Sequence, residues 1–330
     1  MPKHSLIFNR SDIQSLMSLN EHIEVVENAF RLYAEKQILD PDLLHFDAEN
    51  GEFHVKAGGL KFPKTYFGLK SNGGFFKNKA TNGLPNIQGL ILLHDGDNGF
   101  PLAVFDSGDI TIKRTGAATA VAAKYLALEN ANTATICGCG LQGQVQLESI
   151  MQVRGITKVF AFDKDEKIMA EYVKKMSDKL KIDILPAFNL QEAIAQSQIC
   201  ICCTPSREAY FKNEFAHEGL FIAAVGADSP EKQELDPQLT VSHKVVADIL
   251  NQCISVGELH HAIDAGLMQK EDVYAELGEV ITGKKTGRES KEEVIIYDAT
   301  GTALQDVAAA AYVYEKAVKQ NIGLAFRFPA

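Results

Sequence analysis

No stretch of this 330-residue chain is apolar for the eighteen or so residues that a bilayer span needs. Met1 to Ser5 lead into a short strand-like run, Leu6-Ile7-Phe8, with neither an apolar core nor a small-residue cleavage site. Together these absences give the expectation of a cytoplasmic protein without a membrane partner. Basic charge is scarce as well: 33 Lys plus Arg stand against 43 Asp plus Glu, a formal net charge of −10. Nucleic acid is therefore not expected as a partner, because a phosphate backbone calls for a basic face. Any anionic ligand must be held by local donors and a few placed cations, since the overall field repels it. The six cysteines, at 137, 139, 200, 202, 203 and 253, include no C-x-x-C pair and no zinc-like grouping with histidine, so no metal is expected. Cys200, Cys202 and Cys203 lie in the apolar run Gln198 to Thr204 and read as small core residues of a buried strand, in a reducing compartment. Internal repeats and low-complexity linkers are missing too.

What is present is mixed at first and then regular. Ser11 and Asn20 are the expected helix caps, and Asn20 precedes an amphipathic stripe of Ile23, Val26, Ala29, Phe30 and Tyr33. After Pro41 come short alternating runs at 53–57, 66–70, 89–94 and 102–105, separated by turn clusters, a β-meander with a hairpin loop at 95–99. An Ala-rich, Pro-free helix is expected from Thr111 to Leu128. Strands then alternate with helices: strands at 133–137, 158–162, 198–203, 220–225 and 244–248, helices at 142–153 and 166–180. Such alternation calls for a parallel sheet covered by helices. A last strand at 294–297 is followed by a helix at 303–319 that is expected to pack back on the N-terminal region.

One loop carries the clearest chemistry. Gly138-Cys139-Gly140-Leu141-Gln142-Gly143 follows a short β-rich run and opens a helix pattern, the context a G-x-G-x-x-G dinucleotide loop requires. Gly138 permits the tight turn, Gly140 lets the backbone approach a pyrophosphate, and Gly143 allows the helix to pack on the strand. Exposed N–H groups and the helix dipole then hold the negative charge. The next strand ends at Asp163, twenty residues after Gly143, where a carboxylate can accept both ribose hydroxyls and repel a 2′-phosphate. This favours NAD(H). Lys164, immediately after, can pair with a phosphate and keeps NADP(H) as the alternative.

Three further segments place charge at element ends: Lys70 after Gly68-Leu69, Arg114 near the start of the long helix, and Asp228 just beyond a buried strand, where ligands of open α/β sheets bind. Singly, each could be a solvated charge or a turn cap. Together with Asn82-Gly83-Leu84-Pro85 to Gln88, Thr111 to Ala117, Cys203 to Ser206, Val225 to Asp236 and Asp298 to Asp306, they make the chain resemble the ornithine cyclodeaminase and μ-crystallin family over nearly its whole length.

That resemblance implies an α/β protein in which a Rossmann dinucleotide-binding domain, 115–304, is inserted in a mixed α+β domain for substrate binding and dimerisation, 1–114 plus 305–330. A homodimer follows from the same likeness. It also implies that Lys70 and Arg114 hold a substrate α-carboxylate and that Asp228 serves the substrate nitrogen. Thr115, Thr204, Val225 and Asp298 would line the dinucleotide. Two cations on one carboxylate would fix the α-carbon for hydride transfer, and a carboxylate near the nitrogen could manage the proton.

Family reactions differ at the substrate-facing strand before Lys70. Ornithine cyclodeaminases place an arginine and an acid there; this stretch of the chain holds no arginine, and His54 or Lys56 stands about where the acid would be. A cationic side chain repels a distal ammonium but tolerates a neutral ring. The segment Phe53 to Gly59 resembles the Δ1-pyrroline-2-carboxylate reductase branch. The expected reaction is therefore NAD(P)H-dependent reduction of a cyclic imino acid, Δ1-pyrroline-2-carboxylate or its six-membered Δ1-piperideine-2-carboxylate homologue, at C2. Asp47, Glu49 or Glu52 could still supply the missing acid. The alternatives are a redox-neutral ornithine cyclodeaminase and an alanine-type amino acid dehydrogenase.

Overall fold

In a computed structural model the chain is described over residues 4–61 and 64–328; Met1 to Lys3, part of the N-terminal segment read above, lie outside them. It divides into two compact units, residues 1–114 with 302–330, and residues 115–301. The second boundary falls three residues before the expected one, because Thr302 is the N-cap of the C-terminal helix Ala303–Gln320 and goes with it.

The first unit is built on a seven-stranded mixed sheet. Its order is Leu324–Phe326, Ser5–Phe8, Pro101–Asp106, Ile87–Asp95, Thr65–Gly74, Gly51–Lys61 and Ile38–Ala48. The expected meander forms its centre, with antiparallel pairing throughout. Strand Ile38–Ala48 was not among the expected runs, because it contains Pro41. Proline gives no N–H to a ladder, and here it sits on the edge strand at a register shift between Leu39 and Asp42. Helix Ala303–Gln320 packs on helix Leu19–Ala34 and on the central strands, as expected. Strand Leu324–Phe326 follows it, so the run at 294–297 is not the last strand.

The helix caps are Asn9 and Ser18 rather than Ser11 and Asn20, which lie inside helices Arg10–Leu16 and Leu19–Ala34. The reason is reciprocal capping. Asn9 Oδ1 accepts from the Asp12 N–H at 3.0 Å while the Asn9 N–H donates to Asp12 Oδ2 at 3.0 Å. Ser18 and Glu21 form the same box. The deciding signal was the acid three residues on.

The second unit holds an eight-stranded sheet, all parallel. Its order is Asp183–Pro186, Lys158–Phe162, Thr133–Cys137, Ile199–Cys202, Phe221–Ala224, Ile295–Asp298, Lys244–Ala247 and Ala275–Glu276. Four of the central strands are buried at every position, which explains their continuous apolar runs. Cys137, Cys200, Cys202 and Cys253 sit in this core, and burial pushes the thiols of Cys200, Cys202 and Cys253 well above the ordinary range. A small two-stranded sheet, Arg207–Phe211 with Gln233–Leu235, had no clear sequence signal. The boundary at Arg114 falls within helix Ser107–Leu126, which starts four residues before the expected Thr111. Among the described residues no helix is long and apolar enough to cross a membrane.

Candidate functional site

In the first unit the sheet presents one buried face toward helix Ala303–Gln320. Residues alternate between faces, so His54, Lys56 and Gly58 on one strand share that face with Asn72, Lys70 and Gly68 on the next. The register pairs them in rows: His54 with Asn72, Lys56 with Lys70, Gly58 with Gly68. The glycine pair matters because the helix presses there. A Cβ on Gly68 would lie 2.9 Å from Val307 Cγ2, and one on Gly58 3.3 Å from Leu304 Cδ2. With the helix seated so closely, Asp306 in its first turn meets the next row. Its Oδ2 lies 2.7 Å from Lys70 Nζ, and its Oδ1 accepts from Arg114 Nε at 3.0 Å. Arg114 Nη1 donates to Gln305 Oε1 at 3.0 Å.

All members of this cluster are buried: Lys70 and Lys56 are 3% exposed, Arg114 5%, Asp306 and Gln305 1%. Burial pulls Lys70 down to about 7, reinforced by the Arg114 and Lys56 charges and only partly opposed by Asp306. Burial would push Asp306 up, but Lys70 and Arg114 outweigh it and hold its carboxyl below the usual range. Lys70 and Arg114 thus share one carboxylate, an arrangement with one positive charge more than negative, suited to a second, ligand carboxylate. Gln305 Nε2 is a further buried donor with no hydrogen-bond partner among the described residues. Asp306 and Gln305 were not singled out from the sequence. The only trace of them was the Asp298 to Asp306 motif, whose spacing says nothing of contacts some 190 to 240 residues away.

In the second unit the glycine loop joins strand Thr133–Cys137 to helix Leu141–Ile150. Gly138 has φ +102°, a conformation that excludes ordinary side chains, and a Cβ there would also meet Cys203 O at 2.8 Å. A Cβ on Gly143 would lie 2.1 Å from Gly138 O, so loop and helix close on each other at that point. At Gly140, by contrast, nothing lies within 4 Å of such an atom. Gly140 is the N-cap and offers no side chain to the first turn of the helix. Leu141 is 57% exposed, and Gln142 Nε2 is buried with no partner among the described residues. An open backbone approach, an uncapped helix start and an orphaned donor fit a dinucleotide pyrophosphate.

Asp163 stands just after strand Lys158–Phe162 and already works within the loop: its Oδ2 accepts from the Cys139 N–H at 2.9 Å, and its Oδ1 from the Asp165 N–H at 3.0 Å. Lys164 beside it is exposed. Thr204 and Val225 follow the ends of strands Ile199–Cys202 and Phe221–Ala224. Buried Glu234 ties their two loops together. Its Oε1 accepts from the N–H and Oγ1 of Thr204, both at 2.7 Å, and its Oε2 from the Gly226 N–H at 2.9 Å. Asp228 Oδ1 accepts from Lys232 Nζ at 2.6 Å, the aspartate one third exposed. Glu234 and Lys232 are residues of the Val225 to Asp236 motif to which no role had been assigned. Asp298 is turned inward: its carboxylate accepts from the Glu258 and Leu259 N–H groups at 3.2 and 2.9 Å, and burial lifts it to about 7. Its carbonyl is engaged as well, accepting from the Asp248 N–H at 2.9 Å. Thr115 opens the second unit within the long helix.

Comparison with known proteins places this geometry in context. Residues 3–321 match the sequence model of the ornithine cyclodeaminase/mu-crystallin family. An alanine dehydrogenase of Archaeoglobus fulgidus is 39% identical over 325 residues, covering 98% of both chains. Among solved structures, an archaeal alanine dehydrogenase dimer with bound NAD is 39% identical with a TM-score of 0.93, covering 99% of this chain and all of that one. The Δ1-pyrroline-2-carboxylate reductase of Thermococcus litoralis, in complex with NADH and L-proline, is 32% identical with a TM-score of 0.92, covering 97% of this chain and 99% of that one.

Proposed function

Since the chain belongs to the ornithine cyclodeaminase/mu-crystallin family, we propose that it is a nicotinamide-dependent oxidoreductase that reduces the C=N bond of a carboxylated imine. The substrate that fits best is a cyclic imino acid, Δ1-pyrroline-2-carboxylate, giving L-proline. The observation that carries this reading is the buried pair of cations, Lys70 and Arg114, sharing the carboxylate of Asp306. It has room in its charge balance for one substrate carboxylate, and Lys56 in the same row repels a distal ammonium of the ornithine type.

The residues of the glycine loop, with Thr115, Thr204, Val225 and Asp298, would hold the dinucleotide, and Asp163 favours NAD(H) over NADP(H). When bound, the dihydronicotinamide supplies a hydride to C2. Lys70 and Arg114 hold the ring carboxylate and so orient C2. The carboxylate of Asp228, kept in place by Lys232, accepts the N–H of the protonated ring nitrogen. An iminium is a far better hydride acceptor than a neutral imine, so the proton belongs on nitrogen until the new C–H bond forms. The amine product then carries it away. As in the archaeal relative described as a dimer, we infer a homodimer, working in the cytoplasm.

A second reading is favoured by the identity to alanine dehydrogenase: an open-chain imine formed from a 2-oxo acid and ammonia. One panel separates the readings. Δ1-Pyrroline-2-carboxylate, Δ1-piperideine-2-carboxylate, pyruvate with ammonia, and ornithine are each supplied with NADH, NADPH or NAD+. The cyclic imines are expected to consume NADH fastest. Faster turnover of pyruvate with ammonia replaces the first reading by the second, and ammonia release from ornithine without net cofactor change overturns both. Asp228→Asn tests the proton role: turnover is expected to fall about 10²- to 10⁴-fold while NADH still binds. Unchanged turnover sinks that assignment.

A further inference from the structure

The edge hairpin of the first unit ends in a nearly palindromic sequence, His45-Phe46-Asp47 on one strand and Glu52-Phe53-His54 on the other. The register makes the palindrome spatial: His45 faces His54, Phe46 faces Phe53, and Asp47 faces Glu52. Because side chains alternate, His45, Asp47, Glu52 and His54 stand on one face of the hairpin and the two phenylalanines on the other. The imidazole rings are 4.7 Å apart between centroids. His45 Nε2 lies 3.2 Å from Asp47 Oδ1, and His54 Nε2 lies 3.7 Å from Glu52 Oε2. One donor atom each from His45, Glu52 and His54 falls within 4.8 Å of the other two. Glu52 and His54 are largely buried, whereas Asp47 is 83% exposed and free to swing.

We propose that these four side chains bind one divalent transition-metal ion, Zn2+ by preference, as a structural clip across the hairpin. Two imidazoles with two carboxylates is a donor set for zinc rather than for Mg2+ or Ca2+, which take oxygen ligands. Bonds of about 2.0–2.2 Å in a tetrahedron put ligand atoms roughly 3.4 Å apart, so small side-chain rotations close the set. Four protein ligands fill the tetrahedron and leave no position for substrate, which marks a structural rather than a catalytic ion. Charge permits it too. The two carboxylates cancel the ion's two charges, so the filled clip is neutral beside Lys56, two residues along from His54. The spacing escapes a sequence search for zinc motifs because the ligands come as two separated pairs that only the hairpin register brings together.

The plain alternative is two ordinary histidine–carboxylate pairs side by side, and the experiment separates them. The untagged full-length chain, treated with a chelator and exchanged into metal-free buffer, is given Zn2+ by equilibrium dialysis and its thermal unfolding is followed. One Zn2+ per chain and a raised Tm are expected, with Mg2+ leaving the Tm unmoved. Co2+ should give the visible absorption of a four-coordinate nitrogen–oxygen site. His45→Gln and Glu52→Gln should each abolish the bound equivalent and the Tm rise, and Asp47→Asn should weaken both. Far-UV circular dichroism and NADH binding in zinc-free buffer show that each variant is folded. The proposal is overturned if the folded wild-type chain takes up no Zn2+ at one equivalent. It is equally overturned if His45→Gln binds Zn2+ as wild type does, which would place the ion on other residues.

Discussion

The two units of this chain, of net charge −10, each carry a proposed grip for an anion, and their residues offer opposite means. In the first, two buried cations, one from a strand and one from a helix, converge on Asp306, a built-in carboxylate that satisfies part of their charge. In the second, the means are backbone N–H groups at the start of a helix, with glycines removing the side chains that would block approach. A grip made of side-chain charge depends on tertiary structure and titrates. A grip made of peptide dipoles depends on local loop geometry and does not. The contrast teaches which substitutions should disturb binding, folding or both.

The largest effect is expected at the internal carboxylate. Asp306→Asn leaves Lys70 and Arg114 buried beside each other without their common counter-ion. Breaking a buried ion pair from one side typically costs about 3–5 kcal/mol. The variant should show a Tm lowered by many degrees, together with loss of turnover. A variant that melts with wild type would mean the cations are stabilised by something other than Asp306, and the comparison would lose its first half.

Next comes a pair within the loop. In Gly143→Ala the new methyl group must displace the Gly138 carbonyl, from which it would be 2.1 Å distant. Strain of this kind typically costs about 1–3 kcal/mol, so both the Tm and NADH binding should drop. Gly140→Ala meets nothing within 4 Å. It should leave the Tm unchanged and weaken NADH binding alone, because only the approach of a ligand is obstructed. If Gly140→Ala binds NADH as wild type does, the pyrophosphate is not held where the loop suggests.

The pH response sharpens the contrast further. Lys70, pulled down to about 7 by burial and by Arg114, is charged below that pH and neutral above it. Affinity for a carboxylate should therefore decline above about pH 7, with kcat/KM falling toward tenfold per pH unit while NADH binding stays level. Stability should move the other way. Between about 7 and the ordinary lysine value of 10.5 the unfolded chain binds a proton the native one lacks, so this group favours folding increasingly as pH rises. Opposite slopes for substrate binding and for stability would identify Lys70. Parallel slopes would assign the effect to another residue.

The same contrast explains what could be read from the sequence. The glycine loop was legible as a strand-to-helix turn because its signal is local: three glycines between a strand and a helix, with an acid at the end of the next strand. The parallel sheet was legible for a similar reason, its strands being continuous apolar runs. Lys70 and Arg114 stood out as charges at element ends but took a role only through the family resemblance, and Asp306 drew no attention as their partner, since a helix pressed onto a glycine pair nearly 240 residues away leaves no periodic trace. Glu234, which ties the Thr204 and Gly226 loops, was hidden likewise: a buried glutamate reads from sequence as a solvated charge. The helix caps were missed on a smaller scale, because Asn9 and Ser18 are identified by Asp12 and Glu21 rather than by themselves.

Asp163 offers the mildest test and joins the two themes, because it is a side-chain charge inside the dipolar grip. Its carboxylate accepts from the Cys139 and Asp165 N–H groups, so it shapes the loop as well as facing the position where a ribose is expected. Replacing it by serine keeps a hydrogen-bonding oxygen but removes the charge that repels a 2′-phosphate, while exposed Lys164 remains next to it. Binding of NADH should weaken modestly and binding of NADPH should improve, shifting their ratio by about tenfold, or about 1.4 kcal/mol. The two affinities must be measured separately. If both fall together, Asp163 acts only by holding the Cys139 peptide, and cofactor choice is made elsewhere. If the ratio shifts while the Tm holds, the charge itself selects the nucleotide.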